Sequence, residues 1–444
     1  MDYYQIVKLL TDIPIWILSA VMIYFGVFGF VGLFFRKRYK KTDKINRFGM
    51  IIPARNEEKV VAGLIESIKK NNYPQDMIQI FVIAHNCTDR TAEIAREHGA
   101  TVYEYNNPDE CTMGYAFRYL FKCIEKDYGT QSFDGFFLFN ADNILDIDYI
   151  SKMNDAFEHY ERKSVITSYR NSKNFGTNLI SGMYGMYFIM GARVESQGRT
   201  ILSCSTRVQG TGYLINSNVV KNGWNYVTLT EDWEFTADQI LGGNIIRYCD
   251  DAIFYDEQPT SVKIMWRQRV RWSRGHLLVF YARFKELFCA VFKKGTKHRF
   301  SLYDITAYIL PSPLMMMVLQ VFQILVLLTV PLVTKTYTFK DIFIGDTANI
   351  LQNNSILVAT LKSGLISYVF LVLGAFVIYF TERKRIKNVS IPMKILVALL
   401  WPIFLLIQLP IDLQAFFSKN LGWKPIPHDD QTSFEHVNQK KAKK

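Results

Sequence analysis

Apolar positions in this chain come in two textures. From 46 to about 255 they fall in short runs separated by polar clusters, and outside that range they form long unbroken stretches. The run at 48–53 reads as a buried strand and 56–70 as the helix that follows it. A second strand at 78–84, a helix at 91–98 and a third strand at 101–105 repeat the alternation. A further strand, 135–139, stops at Asn140-Ala141-Asp142-Asn143. Strands alternating with helices predict an α/β domain with a mostly parallel sheet and crossover helices. In such sheets a ligand sits beyond the carboxyl ends of the strands. That is where the polar clusters fall.

The long stretches read as membrane segments. Residues 13–35 carry no charge, enough as a helix to cross about 30 Å of hydrocarbon. The run is too long for a signal-peptide core and no small-x-small cleavage site follows it. Instead comes Arg36-Lys37-Arg38-Tyr39-Lys40-Lys41, a basic anchor of the cytoplasmic kind. The amino terminus is therefore expected outside and the next segment in the cytosol. The apolar stretch 303–333 is broken by Pro311 and Pro313, which predicts an interfacial turn and then a crossing from about Leu314. Residues 356–380 form another crossing, closed by Arg383-Lys384-Arg385-Ile386-Lys387. The stretch 391–417 is interrupted by Pro402, Pro410 and Asp412. Four full crossings would put the tail lysines Lys440, Lys441, Lys443 and Lys444 outside, so a re-entrant or interfacial last segment is expected. Residues 276–292, with Lys285, Lys293, Lys294 and Arg299 nearby, predict an amphipathic helix on the inner leaflet. The organisation expected is a helix at 1–35, a cytosolic domain at 36–275, an interfacial helix at 276–300, membrane helices at 301–417 and a polar basic tail at 418–444. The protein is then multi-pass in the cell membrane.

Composition agrees with this mixture. Hydrophobic residues reach 49% while charged residues still make up 21%, too apolar for disorder and too charged for a bare membrane bundle. The net charge of +12 gathers beside apolar spans, which favours a membrane surface over nucleic acid as the partner. The six cysteines form no C-x-x-C pair and none has a histidine in zinc spacing, so reduced cytosolic thiols are expected.

The polar clusters carry candidate chemistry. Pro53-Ala54-Arg55-Asn56-Glu57-Glu58 and His85-Asn86-Cys87-Thr88-Asp89 each follow a strand, a place suited to a nucleotide, without a G-x-G-x-x-G or P-loop lysine. Asp142, at a strand end, could hold a divalent ion that bridges a diphosphate. Glu231, Asp232 and Glu234 bring three carboxylates into one turn, a general base with support. Gln268-Arg269-Val270-Arg271-Trp272 offers cations for a diphosphate and an indole face for a sugar ring. Each has a bland use as well: an ordinary turn, a helix start favouring acids, a membrane-surface patch. Their order along the chain is what distinguishes them.

In that order the residues resemble the family 2 glycosyltransferases, specifically the membrane-embedded branch of cellulose, hyaluronan, chitin and poly-N-acetylglucosamine synthases. The likeness runs from about Gly49 to Gly275 and rests most on Thr230-Glu231-Asp232 and Gln268-x-x-Arg271-Trp272. It implies a GT-A-type domain flanked by transmembrane helices. It implies that Pro53, Ala54, Asn56 and Glu57 frame the uridine pocket with Asp89 nearby, and that Asp142 ligates Mg²⁺ or Mn²⁺ on the donor diphosphate. Gly210, Thr211 and Gly212 would border the acceptor, and Trp272 would stack on its sugar. Asp232 would be the general base, with Thr230 and Glu231 beside it, and Gln268 and Arg271 would hold the leaving diphosphate. The chain departs from the family pattern at His85 (often Asp), Asn140 (the first acid of D-x-D) and Met113 (often Lys). The function expected is processive β-glycan synthesis from a UDP-sugar, UDP-glucose by default, with export across the membrane. So few crossings would call for a homo-oligomer to form a channel. The alternative is a non-processive transferase acting on a lipid acceptor, and a third reading is a non-catalytic membrane subunit.

Overall fold

Our computed structural model describes residues 1–334, 337–345, 355–387, 389–418 and 428–438. The short apolar runs become strands. β1 (Phe48–Ala54) pairs in parallel with β2 (Ile78–His85), β2 with β3 (Thr101–Tyr105), and β1 with β4 (Gly135–Leu138). Alternate side chains feed two cores, as the twofold repeat of a strand requires. Met50 and Ile52 pack with Leu64, Ile68 and Met153 on one face; Ile51 packs with Phe117, Leu120 and Trp224 on the other.

Four further strands complete the sheet: β5 (Ile144–Leu145), β6 (Val165–Ser172), β7 (Tyr213–Asn216) and β8 (Ile246–Asp256). The order is β3-β2-β1-β4-β7-β6-β8-β5. β7 runs antiparallel to β4 and β6, and β5 antiparallel to β8, so the sheet is mixed at this end. The expected parallel half is the half nearest the amino terminus.

The helices differ from expectation in instructive ways. α1 (Tyr3–Met22) begins well before the uncharged run and breaks before α2 (Phe25–Phe34). α3 (Val61–Lys69) starts five residues later than the apolar pattern suggests, because Asn56 adopts a left-handed φ of 59° and holds 55–60 as a loop. α4 (Met113–Asp127) and α5 (Glu231–Leu241) both open at the carboxyl side of the sheet. α6 (Val262–Phe292) is one helix of 31 residues, so the boundary expected near 275 does not exist as a break. Its carboxy-terminal half keeps the expected apolar outer face, with Tyr281, Phe288 and Phe292 exposed. α7 (Arg299–Ile309) and α8 (Ser312–Leu327) are separated at Leu310–Pro311, the break that the prolines predict.

Among the described residues, four stretches are long and apolar enough to cross a membrane: Tyr3–Phe34, Ser312–Val333, Ile356–Thr381 and Ile391–Phe417. The last is unlike the third, α9 (Ile356–Thr381), which exposes Leu361, Leu365, Phe370 and Leu373. α10 (Ile391–Leu406) buries Val397, Ala398, Trp401 and Phe404 against Met183, Tyr184 and Met265 of the α/β domain. α11 (Gln408–Phe417) continues it, with Gln408 accepting from Arg269 at 2.9 Å and Asp412 from Ser273 at 2.6 Å. The chain then returns to the sheet, where α12 (Phe434–Asn438) packs near α3. The described part of the expected polar basic tail, 428–438, is docked on the α/β domain.

A buried ionic cluster ties α9 to the sheet. Arg193 meets Asp250 at 3.2 Å and Glu382 at 3.1 Å, and Arg385 meets Asp250 at 2.9 Å. Arg36, just after α2, adds a contact to Glu382 at 2.7 Å. Charges this deeply buried persist only when each has an opposite charge beside it.

Candidate active site

The strand ends, the start of α5 and the middle of α6 surround one cavity of about 820 Å³. β1 delivers Pro53 and Ala54 to it, the loop after β1 delivers Glu57, and the turn after β4 delivers Asn140 and Ala141. α5 presents Thr230, Glu231 and Asp232, and α6 presents Gln268, Arg271 and Trp272. The two helices can approach because residue 275 is glycine: a Cβ there would collide with the Thr230 side chain.

Not every residue singled out from the sequence reaches the cavity. Asn56 is exposed, and its side chain accepts the Thr88 amide at 2.8 Å. Asp89 accepts from the Glu58 amide at 3.2 Å and from the Thr91 hydroxyl at 2.6 Å. These two residues lock the loops after β1 and β2 together and lie behind the pocket wall. Gly210 lines the cavity, whereas Thr211 is buried and binds the turn after β4, accepting the Asn140 amide at 2.9 Å and donating to Asn143. Gly212, at φ 68°, leaves no room for a side chain beside Phe254.

Asp232 and Glu231 differ in environment. Glu231 is buried, and burial together with the charge of Asp232 pushes its carboxyl up to about 8. Asp232 is half-buried; burial raises it as well, with Arg207 and Arg271 pulling in the other direction. Two adjacent carboxylates cannot both ionise cheaply, so near neutrality one proton sits mainly on Glu231 and Asp232 carries the charge. Arg271 is tethered by its Nη1, which donates to the Leu229 carbonyl at 3.2 Å. The ring of Trp272 meets Tyr184 and Phe188 edge-on, each at 6.2 Å between centroids.

Asp142 is buried just behind the cavity wall. Its Oδ2 accepts the Glu257 backbone amide at 2.9 Å and its Oδ1 accepts the Asn143 side-chain Nδ2 at 3.1 Å. Among the described residues no three His, Cys, Asp or Glu side chains converge into a metal cage. A single fixed carboxylate does fit a hard divalent ion that completes its shell with water and phosphate oxygens. To hold such a cation Asp142 would have to give up one of these hydrogen bonds, and Asn140 beside it supplies no charge.

Several residues at the site had no sequence signal strong enough to single them out. Arg207 lies over the ring of Trp233 at 4.8 Å and His276 stacks on that ring at 4.6 Å. Burial and then Arg207 push His276 down to about 4, so it is neutral. Arg170 binds Asp256 through Nε at 2.6 Å and lies over the ring of Phe188 at 3.5 Å. His85, the departure from the pattern, lines the cavity and hydrogen-bonds the Glu110 carbonyl at 2.7 Å; Met113 lines it from the start of α4. Most distant in sequence is His428, whose Nδ1 lies 2.9 Å from the Glu57 carboxylate. Burial opposes a charge on His428, but Asp142, Glu57 and Glu257 outweigh it and raise the imidazole to about 9.

Comparison with known proteins agrees with this architecture. The model of "Glycosyltransferase like family 2" matches residues 46–275. "Probable glycosyltransferase YdaM" of Bacillus subtilis is 26% identical over 262 residues, 57% of this chain and 60% of that protein. "Beta-monoglucosyldiacylglycerol synthase" of Nostoc sp. is 23% identical over 284 residues, 59% of this chain and 56% of the relative. The match thus spans less than two thirds of these relatives' own length. Among solved structures, a mannosyltransferase of Pyrobaculum calidifontis in complex with GDP-Man and Mn²⁺ superposes with a TM-score of 0.55 at 11% identity, over 94% of this chain and 100% of that one. That likeness is one of fold.

Proposed function

The chain belongs to the glycosyltransferase-like family 2, and from that premise we propose that it is a membrane-anchored inverting hexosyltransferase that moves a sugar from UDP to a hydroxyl of a lipid. One observation carries the lipid acceptor. The cavity does not end at Asp232 but continues to Met22, Phe25, Leu310, Pro313, Leu314 and Leu405, at the ends or within the apolar helices. An acyl or isoprenoid chain fits that wall, while a hydroxyl at its head reaches the carboxylates of α5. The glycolipid synthase among the relatives is consistent with this reading, and glucose is the sugar we adopt for the donor.

Asp232 takes the proton of the acceptor hydroxyl as its oxygen forms a bond to the anomeric carbon. The bond from that carbon to the UDP oxygen breaks on the opposite face, and its electron pair leaves with UDP. A positioned base contributes roughly 10²–10⁴ in rate. Arg271 and Gln268 take the charge developing on the diphosphate, the interaction that strengthens as the bond breaks. A divalent cation on Asp142 would neutralise part of the same charge. Pro53, Ala54 and Glu57 border the nucleotide end.

The polymerising reading stands second, favoured by Trp272 on the cavity wall beside Gln268 and Arg271. One assay separates the two. Enzyme in nanodiscs is given radiolabelled UDP-glucose, Mn²⁺ and membrane lipid, and products are partitioned between organic and aqueous phases. Label in a single-sugar lipid is expected. A water-soluble ladder would replace this reading with polymer synthesis, and no transfer from any UDP-sugar would end both.

A further inference from the structure

An ion pair outside the proposed catalytic set lines the cavity. Arg207 Nη2 lies 3.2 Å from Glu195 Oε2, and both residues face the cavity. The pair stands between Asp232 and the apolar end. Arg207 lies over the ring of Trp233, the neighbour of Asp232, at 4.8 Å and over Tyr308 at 5.5 Å. Tyr308 in turn meets Phe25 at 5.7 Å between ring centroids, where the apolar helix ends begin. A lipid whose tail lies among those ends and whose hydroxyl reaches Asp232 must lay its head group across this pair.

Its bonding differs from that of the structural pair next to it. Arg199 donates to Asp304 through two nitrogens, at 2.7 and 2.9 Å, and Asp304 also accepts from Tyr24 at 2.7 Å, so that pair is saturated. Glu195 and Arg207 share a single contact, Glu195 keeps 27% of its side chain exposed, and Arg207 Nε has no partner among the described residues. Glu195 reaches the cavity from a π-helical turn, Gly191–Gln197, a rare conformation that recurs at functional sites. The turn is clamped against α2. A Cβ on Gly32 would fall 1.9 Å from the Arg193 carbonyl oxygen, and one on Gly198 would fall 2.0 Å from that of Phe28.

We infer that Glu195 and Arg207 select the acceptor by binding a second hydroxyl of its head group, so that the acceptor is a polyol lipid rather than a lipid with one hydroxyl. The inference rests on the lipid-acceptor reading above. A hydroxyl suits the pair because it both donates and accepts: its O–H turns to the Glu195 carboxylate and its oxygen takes an N–H of Arg207. An acyl chain over the pair would strand charged groups without partners. A phosphate gains little, because Glu195 already answers the charge of Arg207 and Asp232 adds a further negative charge beside Trp233.

The test compares transfer from UDP-glucose, by the full-length enzyme in nanodiscs, to dioleoylglycerol with one hydroxyl, monooleoylglycerol with two, and monoglucosyl-dioleoylglycerol with a sugar's set. The parent should favour a polyol lipid over dioleoylglycerol by about 10- to 100-fold in acceptor kcat/KM, the weight of a hydrogen bond to a charged group. The last two lipids separate a glyceryl from a hexosyl head. Glu195→Gln, which keeps the shape and loses the charge, should shrink that preference, and Glu195→Ala should abolish it, both with parental UDP affinity. A preference unchanged in both variants, with UDP still bound, overturns the inference and leaves the lipid acceptor standing. So does a parent that prefers dioleoylglycerol or transfers only to undecaprenyl phosphate, a result read without any substitution. A parent that gives sugar to no lipid overturns the acceptor reading and the inference together.

Discussion

As the proposed base, Asp232 depends on Glu231 next to it not ionising easily. The pair releases its protons in two steps, the second displaced to about 8 and nominally that of Glu231. Activity therefore needs only the first proton to leave, and the rate should rise with pH through that first step and hold to pH 7 and above. Glu231→Gln keeps a neutral neighbour and should leave the acidic limb nearly in place. Asp232→Asn should bind UDP normally and lose roughly 10²–10⁴ in transfer, the contribution of a general base. The pH profile of kcat/KM for these two variants checks the assignment; an Asp232→Asn enzyme at parental rate would refute it. At this scale much was legible: acids in one turn and Q-x-x-R-W are local in sequence. The roles of Asn56 and Asp89 were not, because whether a polar residue at a strand end faces a ligand or a neighbouring loop depends on how β1 and β2 are juxtaposed.

Among the elements, the junction of α5 with α6 sets where Asp232, the proposed base, stands relative to Arg271. Gly275 admits Thr230 where any side chain would collide with it. Gly275→Ala should displace Thr230 and with it Asp232, and a shift near 1 Å at a reacting group costs on the order of 10²-fold. We expect kcat to fall by that order with UDP affinity retained, read from initial rates and UDP binding on one preparation. Equal loss of both would mean that α6 moves as a body. Periodicity found β1 to β4 because each is a continuous apolar run between turn residues. β5 to β8 escaped it: β5 has two residues, β7 four, and β8 mixes Arg247, Asp250 and Asp251 among its apolar positions. Their pairing, antiparallel at β7, is decided by neighbours that lie far away in the chain.

For the molecule as a whole, the membrane arrangement turns on the stretch 391–438. Arg385 before it is bound to Asp250, Gln408 and Asp412 within it are bound to α6, and His428 beyond it is bound to Glu57. A chain held to the catalytic unit before, along and after this stretch is expected to stay on that unit's side of the bilayer. This supports three crossings and an interfacial fourth segment. Cysteines placed at Thr432 and at Gln131 should both resist an impermeant thiol reagent applied to intact cells and both react after lysis; labelling of one but not the other would refute the arrangement. The amino-acid order alone determined the class of the molecule: an α/β domain between apolar segments, the catalytic motifs and the basic anchors. Those properties are periodic or local, and each is written within a dozen or so residues. Only the tertiary structure decided that one cavity joins the carboxylates of α5 to apolar helix ends, and that His428 stands beside Glu57. Both depend on long-range packing, in which residues hundreds of positions apart meet because burial and charge pairing reward the meeting, and no local pattern encodes it.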